Sequence, residues 1–258
     1  MKIFIMYLSN KNIYSILGVL LLLLSWQIIS IFSHPLIVPS PLATIKALIN
    51  MAASGELLKN FSISIQRQLT GLAIGVMFGI VLGILGGLKA PINKMITPLV
   101  NAILSVPSII FVVIAMVWFG QGTTQVVFVV ALLVFPVMYV NCEKGIASID
   151  PNLIEMATVY RVPLKIRIKK VYLPGLTHGI LAGFALSAAS SIRLTVMSEL
   201  FGAQEGIGQA IAMTRFYLET DKLFAWALIL VFIVAILEKM IFKPLEAKIE
   251  RWKGLENC

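Results

Sequence analysis

Polar residues set in apolar surroundings are the ones with chemistry to do. Arg193 lies in SAASSIRLTVMSEL, sharing a polar turn with Ser190 and Ser191, and Glu199 follows it. A charge in such a stretch is costly and faces protein or a water-filled cavity. Two readings stand. Arg193 lines a passage that favours anions, or it serves a structural pair with Glu199 or nearby carbonyls. Pro107, flanked by Ser105 and Ser108, and Pro136 each remove a backbone donor from a long apolar run. Each predicts a kink or local unwinding. At Pro107, irregular backbone beside serines suits the lining of a pathway.

Other reactive types lack company. Cys142 and Cys258 have no metal-ligand neighbours. His34 and His178 have no carboxylate or second His spaced to make a proton relay. The chain contains no HExxH, no nucleophile–base pair and no GxxxxGK[ST]. The expectation is therefore a chain with no catalytic, cofactor-binding or metal site, and not an enzyme.

Six Lys and Arg fall in the long stretch between Glu143 and Pro174, EKGIASIDPNLIEMATVYRVPLKIRIKKVYLP. Asp150 is a good helix cap and Pro151 suits a first helical position. A short helix with an apolar side follows, and Pro163 forces Val162 out of helical geometry. Such a helix suits docking into a partner's groove or lying on a bilayer surface.

The elements that hold these residues follow from composition. Of 258 residues, 59% are hydrophobic and 13% charged, with mean hydropathy +0.95. Soluble domains run near ~45–50% apolar and ~25% charged, so a water-soluble enzyme and a disordered chain are excluded. A bilayer-crossing helix needs about 20 apolar residues. Six runs qualify: 13–32, 61–88, 95–119, 124–142, 176–199 and 223–242. The first reads as a retained helix, since no cleavage site follows it. The runs are continuous, which predicts an all-α integral membrane protein in one transmembrane domain, 1–258, rather than a barrel.

With both termini cytoplasmic, 15 of the 21 Lys and Arg fall on the cytoplasmic side, six of them in the loop at 143–175 and five at the C-terminal end. This is the positive-inside pattern, and it assigns the net charge of +9 to a membrane fringe rather than to nucleic acid. In the second run Gly71, Gly75, Gly79, Gly83 and Gly87 recur every fourth residue. They form a ridge for close helix packing, within the protomer or against a second copy. Residues 41–54 predict a capped helix with Leu42, Ile45, Leu48 and Ile49 on one face.

The loop resembles the signature of ABC importer permeases: Glu-Ala-Ala, three residues, Gly, nine residues, Ile-x-Leu-Pro. Glu155, Met156 and Ala157 take the triplet, Arg161 the glycine position, Val171 the isoleucine, and Leu173-Pro174 the end. With Arg161 in place of glycine, the break is expected from Val162-Pro163. LIVPSPLATIKAL, VPSIIFVVIAMVWFG and ELFGAQEGIGQAI resemble the nitrate, sulfonate, taurine and bicarbonate group of that family. The resemblance implies a six-helix type I permease bundle in the bacterial inner membrane. It implies a second permease copy, a cytoplasmic ATPase dimer carrying ATP-Mg, and a substrate-binding protein that delivers a small, anionic solute. It gives Asp150, Glu155, Met156, Ala157, Arg161, Leu173 and Pro174 to ATPase coupling. Ser105, Pro107, Ser108, Ser190, Ser191, Arg193 and Glu199 are the candidate pathway residues. The rival is an ion-coupled secondary transporter, which would need carboxylates near the midplane; only Glu199, near a span's end, is available.

Overall fold

The computed structural model describes residues 2–237 and Lys239. The last residues of the sixth apolar run, the C-terminal basic segment, Trp252 and Cys258 lie outside the described residues. The helices are α1 (Lys2–Phe32), α2 (Pro41–Ala53), α3 (Glu56–Leu88), α4 (Ala90–Ser105), α5 (Ser108–Phe119), α6 (Thr123–Ala147), α7 (Pro151–Val159), α8 (Leu164–Arg167), α9 (Leu173–Gly202), α10 (Ile207–Phe216) and α11 (Thr220–Leu237). A π-helical stretch, Ile168–Tyr172, joins α8 to α9. Among the described residues, three helices are long and apolar enough to cross a membrane: α3, α6 and the continuous helix Lys165–Gly202 that contains α9. The pair α4 and α5 passes as a fourth.

Two compact units divide the chain. One takes residues up to 58 together with 211–230; the other takes 59–210 and residues from 231 on. In the first unit, the turn after α1 is tied down by polar side chains in an apolar sequence. The Trp26 indole donates to Pro39 O at 3.0 Å and Ser30 Oγ to Val38 O at 3.3 Å. Trp26 also stacks on Phe224, with ring centroids 5.7 Å apart. Ser40 caps α2 by accepting from Ala43 N, with Pro41 in the first turn. The face α2 buries is Thr44, Ala47 and Met51. Leu42, Ile45 and Ile49, expected as one packed face, are exposed instead.

The second unit is built on close backbone approach. Gly71 faces Val130, Gly75 faces Val134, Gly83 faces Cys142 and Gly87 faces Ile146. Both numbers rise together, so α3 and α6 run parallel, with the glycine ridge packed inside the protomer. On a neighbouring face of α6, Gly175 faces Ile149, Gly179 lies on Asn141 and Gly145, and Gly183 faces Met138 and Asn141. One number rises as the other falls, so α9 runs antiparallel to α6. A chain that leaves α3 and re-enters α6 in the same direction must return between them, and α4 with α5 supplies that return.

The return is broken. α4 and α5 meet at 100°, with Val106 extended (φ −84°, ψ 134°) before Pro107, as the steric clash with a following proline ring requires. Pro136 behaves otherwise. It is buried inside α6, which runs unbroken from Thr123 to Ala147, so the expected unwinding there does not occur.

Candidate functional site

Two polar constructions stand at opposite ends of the second unit. The first is the loop helix α7. Asp150 accepts from Asn152 N at 2.9 Å, and Pro151 occupies the first turn. The helix closes on Arg161, whose φ is +48°. Arg161 N donates to Thr158 O at 3.1 Å and Val162 N to Ala157 O at 3.0 Å. These are the two bonds of a helix end with a left-handed residue, a place glycine usually takes. The break is thus made at Arg161 itself, not by proline alone, because the carbonyls of Ala157 and Thr158 need those donors. Arg167 fastens the end by donating from Nη2 to Ile154 O at 3.0 Å and to Thr158 Oγ1 at 2.7 Å.

Ala157 turns inward and is buried. Leu153, Met156, Val159 and Tyr160 are exposed, the last two at 72% and 76%. Glu155 is exposed beside them, as are Leu173 and Pro174 at the start of α9. The loop joins the two antiparallel spans α6 and α9. An apolar patch on a stiff, capped nine-residue helix projects there from the second unit.

The second construction surrounds Glu199, which is fully buried. Ser64 Oγ donates to its Oε2 at 2.7 Å and Arg67 Nη1 to its Oε1 at 3.0 Å. Gly208 N donates to Oε2 at 3.1 Å. Arg67, 6% exposed, also donates from Nη1 to Glu205 O at 2.6 Å and from Nε to Thr123 Oγ1 at 3.1 Å. Ile207 N donates to Ser64 Oγ at 2.8 Å and Gly206 N to Asn60 Oδ1 at 3.0 Å. The first amides of α10 are therefore satisfied by side chains of α3 and α9, with an anion at the positive end of a helix. Gly206 holds φ +110° so that the loop can turn under the carboxylate. On the surface, Lys59 sits 2.9 Å from Glu205 and holds that carboxyl below its usual range.

The candidate pathway residues scatter over this framework. Ser191 is buried, receives Gln68 Nε2 at 3.1 Å and donates to Ala188 O. Ser190 and Ser105 bond back to the carbonyls of Leu186 and Asn101 on their own helices. Ser108 Oγ lies 3.6 Å from Met197 Sδ, bringing the start of α5 against α9. Pro107 stands exposed at the bend. Arg193 is exposed, and the structural partner once open to it, Glu199, is taken by Arg67. Arg67 is one of the six Lys and Arg outside the cytoplasmic set of 15, and no role was expected of it, Ser64, Asn60 or Thr123. The signal was there: Asn60, Ser64 and Arg67 continue the stripe Gly71, Gly75, Gly79 at helical spacing, so they share its buried face.

The family profile described as the binding-protein-dependent transport system inner membrane component matches residues 75–242. Among curated relatives, the putative aliphatic sulfonates transport permease protein SsuC of Escherichia coli (strain K12) is 35% identical over 189 residues, 72% of this chain and 70% of that protein. The SsuC of Bacillus subtilis (strain 168) is 29% identical over 89% of this chain and 83% of its own length. The taurine transport system permease protein TauC of Escherichia coli (strain K12) is 24% identical over 96% and 92%. Among solved structures, a chain of an amino acid ABC transporter with histidines superposes with a TM-score of 0.63 at 17% identity, covering 79% of this chain and 98% of that one. A chain of the inward-facing MetNI methionine ABC transporter gives 0.57 at 20% identity, covering 71% and 93%. These two likenesses show the fold.

Proposed function

The chain belongs to the family of binding-protein-dependent transport system inner membrane components, and from that premise we propose that it is the pathway-forming subunit of an ATP-driven importer for small organic anions of the sulfonate class. The observation that carries the reading is α7: a capped, stiff helix between two spans, with Leu153, Met156, Val159 and Tyr160 uncovered. A helix presented in that way fits a groove on a second protein. Glu155, Met156, Ala157 and Arg161 would contact or shape that joint, and Leu173-Pro174 would pass its motion into α9. The sequence has no phosphate-binding loop of its own, so ATP-Mg would belong to a cytoplasmic ATPase dimer.

In this reading α1 and α11 add a crossing on either side of the four in the second unit, giving six spans with both termini cytoplasmic. A second copy completes the pathway, and a binding protein delivers solute on the Glu199 side, in a bacterial inner membrane. The spans rock between two arrangements as the ATPases close and open. Ser105, Pro107, Ser108, Ser190 and Arg193 are the residues proposed to meet the solute; the buried Ser191 and Glu199 support them from behind. An ion-coupled carrier is disfavoured because Glu199 is buried and already accepts from Ser64, Arg67 and Gly208, three of the about four bonds a carboxylate can accept.

The test is co-expression with the cognate ATPase and binding protein in proteoliposomes, with uptake of taurine and an alkanesulfonate. Vanadate-sensitive uptake is expected. Met156→Asp should cut ATPase retention at least tenfold while the chain still inserts. Arg161→Gly should keep coupling, since glycine adopts the left-handed turn without the ~1–2 kcal/mol other residues incur. Retention by Met156→Asp, or vanadate-insensitive, ion-driven uptake, would overturn the assignment.

A further inference from the structure

We infer that the stretch entering α9 is a binding surface for anionic phospholipid headgroups, carried by Lys165, Lys169 and Lys170. It rests only on the chain's crossing a membrane, not on what the chain transports. From Glu155 to Glu199 no acidic residue intervenes, while Arg161, Lys165, Arg167, Lys169 and Lys170 crowd into ten positions. Arg167 is occupied by Ile154 O, Thr158 and the face of Tyr172. The three lysines are exposed, and among the described residues none is ion-paired.

Their position makes the unpaired charge costly. Lys165 occupies the first turn of the helix Lys165–Gly202, where the helix dipole favours acids and disfavours cations, and Lys169 and Lys170 follow in the second. An anion supplied from outside offsets that cost. The helix has 38 residues, about 57 Å at 1.5 Å per residue, against a hydrocarbon core of about 30 Å. Its far end is fixed by the Glu199 cluster in the protein. The apolar run 176–199 starts six residues after Lys170, about 9 Å along the helix, so Lys169 and Lys170 stand next to the headgroup region and Lys165 a turn farther out.

Their neighbours choose lipid over an acidic protein. Ile166, Ile168 and Leu173 are interleaved with the lysines and are half exposed. Lysines beside exposed aliphatic side chains match a boundary where acyl chain and phosphate lie a few ångströms apart. The protein-docking patch on α7 is different: residues 151–160 contain no Lys or Arg.

The test reconstitutes the full chain in nanodiscs of phosphatidylcholine with about one third phosphatidylglycerol and measures retained lipid by native mass spectrometry. Wild type should retain phosphatidylglycerol preferentially, and 0.5 M KCl should weaken this because such charges are screened over a few ångströms. A Lys near an anionic surface weighs about fivefold in affinity. The triple K165Q/K169Q/K170Q should therefore lose at least tenfold of the preference, while K165R/K169R/K170R, which keeps the charge, should retain it. Absence of preference in wild type, an unchanged preference in the glutamine triple, or its loss in the arginine triple overturns the inference.

Discussion

Among the described residues, Glu199 is a fully buried acid held in an ion pair. It is a carboxylate with no solvent exposure, and its stability depends on Arg67, Ser64 and Gly208 together. Removing one partner of a buried pair leaves an uncompensated charge and costs about 3–5 kcal/mol, whereas replacing both with apolar groups is often close to neutral. Arg67→Met or Glu199→Met alone should therefore lower the denaturation midpoint in detergent markedly, and the double variant should recover most of the loss. A double-mutant cycle by chemical denaturation measures this; additive losses would mean the two residues act independently. Glu199 itself was legible from the sequence as a polar residue in an apolar run. Its partner was not, because Arg193 stands six positions away and Arg67 lies 132 positions away. Sequence proximity pointed to the wrong arginine, and only the helical phase of Asn60, Ser64 and Arg67 with the glycines pointed to the right one.

At the scale of elements, the glycine ridge decides how closely α3 and α6 approach. A Cβ on Gly75 would stand 2.7 Å from Ala131 O and 2.9 Å from the Cβ of Val134. The nearer atom is backbone, so neither helix can yield without moving as a whole. Gly75→Leu should reduce folded, detergent-stable protein severely, beyond the ~1–3 kcal/mol typical of overpacking. Gly18→Ala should leave it unchanged, since nothing lies within 4 Å of a Cβ there. Fluorescence-detected size exclusion of the two variants checks the contrast, and equal profiles would remove the ridge's structural role. The ridge was readable because spacing alone defines a helix face. The orientation of α2 was not: Thr44, Ala47 and Met51 form its buried face, and Leu42, Ile45 and Ile49 are exposed. Nor did the two prolines differ in sequence: Pro107 stands exposed between α4 and α5, whereas Pro136 is buried inside an unbroken α6.

For the whole molecule, topology follows from directions that the helices impose on one another. α3 parallel to α6 and antiparallel to α9 puts the starts of α3 and α6 with the end of α9. Gly122 N donating to Gly202 O at 2.8 Å joins two of those ends. The opposite end holds the loop with α7, where Asn93 Nδ2 meets Glu143 Oε1 at 2.9 Å. Charge then orients this frame: the α7 end carries the basic loop, and the Glu199 end carries few bases, one of them buried in Arg67. The positive-inside bias predicts that a cysteine at Asn152 is shielded from an impermeant maleimide in intact cells, while cysteines at Ser54 and Glu219 react, all in a Cys258→Ser background with Cys142 buried. Labelling of Asn152→Cys from outside would invert the orientation, and with it the side on which any ATPase must bind. The experiment also counts crossings. Ser54 precedes α3 and Glu219 precedes α11, so reactivity at both with protection at Asn152 requires an odd number of spans on each side of the loop. The bent pair α4–α5 satisfies that requirement only as a full crossing, which makes the 100° break at Pro107 a feature inside the membrane rather than a loop beside it.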